Sequence, residues 1–112
     1  MKRYCFALDL INDSELISEY KKYHERIWPE ITDSIQDAGI DNLEIYLTGN
    51  RLFMIMEVND SFSFEKKSTM DLENPQVQAW ENLMWKYQQK LPWAKDNEKW
   101  ILMDKIYQLQ DA

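Results

Sequence analysis

Residues 42–59 read NLEIYLTGNRLFMIMEVN and predict the centre of a β-sheet. The segments 42–48 and 51–59 are rich in the branched and aromatic residues that strands prefer, and only Gly49 and Asn50 separate them. This pair suits the positive backbone angles of a tight hairpin. The stretch therefore predicts two neighbouring antiparallel strands, the second and third of the chain.

Both sides of the third strand are apolar. Phe53 and Ile55 point to one side, and the alternate residues point to the other: Leu52, Met54, Met56 and Val58. Helices can cover only one face of such a sheet. We therefore expect a second copy of the chain on the other face, in a two-fold dimer with its sheets face to face.

Upstream, residues 2–11 predict the first strand, and Asn12 with Glu15 resembles a capping box at the start of a helix. Apolar residues then recur at helical spacing as far as Ile35, and they place His24 on the buried stripe. Pro29 predicts a kink or a fresh helix start.

Downstream, residues 62–70 predict an irregular helical turn. A cleaner helix begins at Asn74-Pro75, and apolar residues mark its inner face as far as Leu91. Residues 99–109 predict the last strand. The order βαββαβ with the right-handed crossover rule predicts an α+β, ferredoxin-like fold: a four-stranded antiparallel sheet with both helices on one face. We expect one domain over residues 1–112.

Composition excludes several classes of function and location. The net charge of -7 disfavours nucleic acid, which is bound through clustered Lys and Arg. Asp9 interrupts the first apolar run too early for a signal peptide, and no stretch is apolar enough for a membrane span. The single cysteine, Cys5, fits a cytoplasmic protein. One histidine and two glycines predict neither a metal site nor a phosphate-binding loop.

His24 is the natural candidate for proton transfer, because an imidazole titrates near neutral pH. A histidine on an apolar helix stripe is, however, more often a hydrogen-bonded core residue. Tyr20 shares its helix face, and Trp80 is one of five tryptophans, whose rings pack well on sugars but also fill dimer interfaces. The residues alone leave these alternatives open.

The stretch EYKKYHERIWPE at residues 19–30, the hairpin and the tryptophan-bearing second helix together resemble the L-rhamnose mutarotase family over nearly the whole chain. The resemblance implies a dimeric α/β barrel that interconverts the α and β anomers of a 6-deoxy sugar without a cofactor. His24 matches the family's proton donor, and Tyr20 and Trp80 match substrate-binding residues.

Two family positions differ. The second tryptophan of a substrate-contacting pair is Glu81 here, and a further substrate tyrosine falls on Leu43. A carboxylate accepts hydrogen bonds that an indole cannot, so we expect Glu81 to bind substrate and to change the preferred sugar. Both L-fucose and L-rhamnose stay open, as do the general base and the part played by the loop around Trp93.

Anomer exchange needs one acid and one base, and we expect His24 to protonate the ring oxygen. Two other functions use the same features. One is a cofactor-free oxygenase or isomerase on the same dimeric scaffold, by analogy of fold alone. The other is a sugar-binding dimer that does not catalyse.

Overall fold

The computed structural model describes residues 2–110. Its elements, in chain order, are β1 (Lys2–Leu10), α1 (Ser14–Glu25), α2 (Pro29–Asp37), β2 (Ile40–Thr48), β3 (Arg51–Val58), α3 (Phe64–Glu73), α4 (Pro75–Trp85), β4 (Gln88–Gln89) and β5 (Ile101–Leu102). Each predicted helical segment is a pair of helices. The fourth strand is in two pieces: β5 lies in the predicted last strand, but β4 occupies residues 88–89, where the helical spacing as far as Leu91 wrongly predicts helix. With that refinement the predicted α+β, ferredoxin-like order is confirmed.

The sheet is antiparallel, with the order β2-β3-β1-β4. β4 pairs with Asp9 and Leu10 of β1, and β5 pairs with Phe6 and Ala7. Because β3 occupies the opposite edge of β1 along its whole length, β4 and β5 share one edge. Residues 90–100 therefore form a loop that interrupts the fourth strand.

The helices pack on one face of the sheet, which we call the helix face. Helix side chains such as Tyr20, Ile35 and Met84 pack against this face. Its strand residues are almost fully buried; they are Leu8, Leu10, Leu52, Met56 and Val58. Burying an apolar side chain of this size stabilises the fold by about 1.5 to 3 kcal/mol. This face carries most of the core.

The other side, which we call the open face, is less complete. Phe53 and Ile55 lie opposite Ala7 and Cys5 in the ladder, and all four are only half-buried. The prediction that β3 is apolar on both sides is therefore confirmed.

One end of the open face is covered. Asp9 is buried there, and Arg51 Nε and a terminal guanidinium nitrogen donate to its two carboxylate oxygens at 2.7 and 3.2 Å. The hydrogen bond to Asp9 raises the pKa of Arg51. The Trp93 ring, from the loop of residues 90–100, lies 5.2 Å from the guanidinium carbon. A paired charge and an indole thus close the end that the helices do not reach.

The hairpin joins β2 to β3 through Gly49 and Asn50, as predicted. Of these two residues, Gly49 has a positive φ, of 56°, and Asn50 does not, so the expectation of positive angles at both positions is wrong for Asn50. Asn50 instead donates from its side chain to the Leu10 carbonyl at 2.9 Å and accepts from the Leu10 amide at 2.7 Å. The turn is thereby fixed to the end of β1.

Three local predictions need correction. The cap of α1 is Asp13, whose carboxylate accepts from the amides of Glu15 and Leu16, and not Asn12. The segment after β3 forms a regular helix, α3, because Ser63 caps it. The last strand is limited to Ile101–Leu102. The Met103 amide still donates to the Cys5 carbonyl of β1 at 2.8 Å, and residues 104–110 are exposed outside the sheet.

Candidate active site

The site is built around the end of α1. Tyr20 and His24 are one helical turn apart, α1 ends at Glu25, and Pro29 begins α2. The predicted restart at Pro29 is confirmed. It leaves His24 in the last turn of α1 instead of in the middle of a continuous helix, and a helix C-terminus stabilises a positive charge by about 0.3 to 1 kcal/mol.

A hydrogen bond assigns the histidine's tautomer. Nδ1 of His24 lies 2.7 Å from the Tyr20 carbonyl oxygen. A carbonyl oxygen only accepts, so in neutral His24 the hydrogen is on Nδ1 and Nε2 carries a lone pair. The ring is therefore oriented as a proton acceptor through Nε2.

Burial lowers the pKa of His24 below its usual 6.5, and the bond to the Tyr20 carbonyl offsets part of this effect. His24 is half-buried, so it is neither locked in the core nor fully in water. At neutral pH the ring is mainly uncharged. It rests in the form that takes up a proton.

Aromatic rings surround the imidazole. The Tyr20 ring centre is 4.4 Å from that of His24, and the Trp80 ring of α4 is 5.7 Å away. Trp28, at the turn between α1 and α2, packs edge-on against Trp80 at 5.1 Å. The structure thus brings together His24, Tyr20 and Trp80, as the resemblance implies, and adds Trp28.

Tyr20 stays protonated. Only 4% of its surface is exposed, and burial raises its pKa to about 12, although a hydrogen bond from Gln88 acts in the opposite direction. Gln88 Nε2 donates to the Tyr20 hydroxyl oxygen at 3.1 Å. The hydroxyl keeps its own hydrogen for another acceptor.

Gln88 is a neighbour of the site that sequence reasoning missed. It lies on β4 and is 6% exposed, and its side-chain oxygen has no hydrogen-bond partner among residues 2–110. No motif marks it, because an isolated glutamine carries no recognisable spacing.

Glu81 and Leu43 lie in different surroundings. Glu81 follows Trp80 on α4, but its carboxylate accepts from Gln78 at 3.2 Å and borders two surface cavities of about 290 and 310 Å³. The first faces α3 and the second faces Lys99, whose pKa is lowered by burial. Leu43 is half-buried on the helix face of β2. The hydrogen bonds of Glu81 are thus with Gln78 of its own helix and, through its backbone carbonyl, with Lys99 of the following loop, and none is with His24.

Comparison with known proteins identifies the family. The model of the L-rhamnose mutarotase family matches residues 3–109. The chain belongs to this family. Members are carbohydrate isomerases that exchange sugar anomers, so the predicted class of reaction is confirmed.

Individual relatives agree. The L-fucose mutarotase of Xanthomonas campestris is 41% identical over 114 residues, which cover 100% of this chain and 91% of the relative. The L-rhamnose mutarotase of Listeria monocytogenes is 28% identical over 88 residues, which cover 77% of each chain.

Solved structures confirm the fold. An L-rhamnose mutarotase from Formosa agariphila superposes with a TM-score of 0.72 at 23% identity, over 98% of this chain and 100% of the other. Tetracenomycin F2 cyclase from Streptomyces glaucescens reaches a TM-score of 0.64 at 15% identity, over 100% of both chains. At these identities the likeness concerns the fold alone. Among residues 2–110, no helix has the length and apolar character needed to cross a membrane.

Proposed function

We propose that this mutarotase exchanges the anomers of L-fucose in preference to those of L-rhamnose, with His24 as the group that moves the proton. The observation that carries the proposal is an imidazole whose Nδ1 is fixed to the Tyr20 carbonyl, whose Nε2 has no hydrogen-bond partner among residues 2–110, and which lies beside the rings of Tyr20 and Trp80. The greater similarity to the L-fucose mutarotase than to the Listeria L-rhamnose mutarotase supports the choice of sugar.

One group can act as both the base and the acid in this exchange. His24 Nε2 takes the hydrogen of the anomeric hydroxyl, and the bond between the anomeric carbon and the ring oxygen breaks to give an open-chain aldehyde. The imidazolium then donates its proton to the former ring oxygen. Both oxygens are bonded to the same carbon, so one nitrogen serves them in turn. Rotation of the aldehyde and the reverse steps give the other anomer.

Two features of the surroundings favour the charged intermediate form of the His24 ring and offset part of the cost of its burial. The Nδ1 hydrogen already points at the Tyr20 carbonyl, and the ring lies at the C-terminal end of α1. Both features favour a positive charge. In this scheme His24 is a neutral base at rest, and it becomes the proton donor in each turnover when it takes the hydrogen of the anomeric hydroxyl.

Tyr20 and Trp80 hold the sugar in this scheme. Tyr20 remains a hydrogen-bond donor because its pKa is about 12. The Trp80 ring, 5.7 Å from the imidazole, offers an apolar surface for the C–H groups of the sugar.

Replacement of His24 tests the proposal. His24→Ala should slow anomer exchange by about 10²- to 10⁴-fold, which is roughly 3 to 5 kcal/mol of barrier, because it removes general acid and base catalysis. Saturation-transfer NMR on L-fucose and L-rhamnose measures the exchange. Glu25→Ala, at the exposed next residue, is the matched control.

Exchange at the wild-type rate in His24→Ala would overturn the assignment. Sugar binding by the wild type without faster exchange would favour the sugar-binding dimer instead.

Glu81 is proposed to set the preference between sugars. L-Fucose and L-rhamnose differ in configuration at C2 and C4, so one carboxylate can favour one hydroxyl arrangement. Glu81→Trp, which restores the family's residue, should shift the ratio of kcat/KM values toward L-rhamnose by about 10-fold. Glu65→Trp, at an exposed acidic residue of α3 that borders neither cavity, is the control. An unchanged ratio would remove Glu81 from the substrate contacts.

We also propose a homodimer formed through the open face. Half-buried Phe53 and Ile55 lie at its centre, and the exposed tail adds Ile106, Tyr107 and Leu109, which are 94, 73 and 82% exposed. Unpaired apolar surface of this kind is typical of interfaces. His24 lies on the helix side, so a partner on the open face leaves its aromatic surroundings uncovered. The cytoplasmic location and the single domain over residues 1–112 stay predictions.

A further inference from the structure

The buried amide of Gln88 is the feature that the mechanism above does not use. Gln88 is 6% exposed and packs on the helix face of the sheet, opposite Leu10. One of its two polar atoms contacts the Tyr20 hydroxyl, and the other has no partner among the described residues. A buried amide oxygen without a partner is destabilising, and such atoms in native proteins usually meet water or a ligand.

The pair formed by Tyr20 and Gln88 has a defined polarity. The amide donates to the tyrosine oxygen, so the hydroxyl hydrogen points to another group, while the free amide oxygen is an acceptor. The pair therefore offers one donor and one acceptor side by side. A sugar hydroxyl, which both accepts and donates, satisfies the two together.

The location connects this pair to the reaction. The same tyrosine ring lies 4.4 Å from the imidazole of His24, and its backbone carbonyl fixes the Nδ1 hydrogen. A ligand group held by the Tyr20 hydroxyl would thus contact the same tyrosine side chain that packs against the ring of His24.

We infer that Gln88 is a substrate-positioning residue, whose amide orients the Tyr20 hydroxyl and accepts a hydrogen bond from one ring hydroxyl of the 6-deoxyhexose. This inference rests on the proposed function of the His24 site and adds a specificity residue to it. The contact is made with a single hydroxyl, so it distinguishes sugars by the presence and configuration of that group.

The test is a cycle of protein variants against sugars that each lack one hydroxyl. Dissociation constants for L-fucose and its 2-deoxy, 3-deoxy and 4-deoxy analogues are measured by NMR titration of wild type and Gln88→Met. Wild type should bind one analogue about 5- to 150-fold more weakly than L-fucose through loss of this contact. In Gln88→Met that difference should shrink to less than about threefold, while the ratios for the other analogues stay unchanged.

Two further variants keep the result interpretable. Gln89→Met makes the same change at the next residue, which is exposed, and should leave every ratio as in wild type. Gln88→Glu retains the shape and, when protonated, both a donor and an acceptor, so it should restore the wild-type ratio at a pH below the ordinary Glu pKa of about 4.3.

Equal weakening for all four sugars in Gln88→Met would overturn the inference, because it indicates a packing role only. Unchanged binding of all four would also overturn it and assign water to the amide oxygen. Binding constants report the contact whether or not His24 moves the proton, so this test can fail separately from the test of the proposed function.

Discussion

The two faces of the same sheet differ in how far a single chain buries their side chains. On the helix face, Leu8 and Leu52 are paired across the ladder and are 0 and 2% exposed. On the open face, the adjacent pair of Ala7 and Phe53 is only half-buried. The backbone hydrogen bonding is shared, so the difference lies in what packs above each face.

This difference separates the proposed chemistry from the proposed assembly. Tyr20, His24 and Trp80 belong to the side that a single chain fills, where packing fixes the rings. Phe53 and Ile55 belong to the side that one chain leaves incomplete. Reaction and dimer formation therefore depend on different surfaces, and substitutions on each can be tested separately.

The largest expected effect of a substitution on stability is on the helix face. Leu52→Ala should lower the free energy of unfolding by about 2 to 5 kcal/mol, because the cavity it leaves is enclosed. Phe53→Ala should cost about 1 kcal/mol at low protein concentration, where its ring is still partly in water. Urea unfolding measured over a range of protein concentrations compares the two. The difference between the two losses in unfolding free energy should become smaller as the dimer forms. Equal losses at high dilution would contradict the comparison.

A charge on the open face should break the dimer without unfolding the chain. Ile55→Asp places a carboxylate in the proposed apolar interface and should raise the dimer dissociation constant at least about 100-fold. Sedimentation equilibrium measures the constant. Asn42→Asp, at an exposed position on the same side of β2, is the control. A wild-type chain that is monomeric at high concentration would disprove the proposed dimer.

The smallest of the predicted effects is the pH dependence of the activity, which arises from His24 on the helix side. His24 must be neutral to accept the first proton, and burial lowers its pKa below 6.5. Activity should therefore be constant above pH 6.5 and fall about tenfold per unit below a midpoint lower than that value. The NMR titration of the single histidine should give the same midpoint. A midpoint above 6.5 would exclude a buried resting base.

Linkage gives this titration a sign in stability as well. The folded-state pKa of His24 is lowered, so the unfolded chain binds the proton more tightly. The stability that the folded chain gains from a neutral His24 is complete above pH 6.5. It is lost as the pH falls toward the folded-state pKa of His24. Activity and stability should thus decrease together on the acid side.

Local chemistry made much of the fold predictable. Gly49 with Asn50 marks the hairpin, Pro29 marks the start of α2, and Asn74 caps α4. Each is a residue whose own backbone or side chain determines the turn or cap. The alternation in β3 revealed the open face for a similar reason, because side chains along a strand alternate between faces.

The chain after α4 was not predictable from local pattern. Met84, Tyr87 and Leu91 are buried at helical spacing, yet α4 ends at Trp85 and Gln88 pairs with Leu10. Conversely, residues 104–110 belong to the predicted last strand or follow it, yet they lie outside the sheet in the described structure. In both cases the outcome depends on neighbours distant in sequence, which periodicity cannot identify.

The candidate site was predictable only through the family resemblance. The helix stripe grouped Tyr20 with His24, but it could not distinguish a reacting imidazole from a core residue. The tautomer required the distance to the Tyr20 carbonyl, and the contact with Gln88 joins two residues 68 positions apart.

The interrupted fourth strand gives the protein an easily modified segment. Gln89 and Ile101, which flank residues 90–100, pair with Asp9 and Ala7, so both anchors sit two residues apart on β1. A segment whose ends are held this close can double in length at an entropic cost of about 0.6 kcal/mol. It is thus a suitable place for natural insertions or for a grafted peptide or fluorescent label.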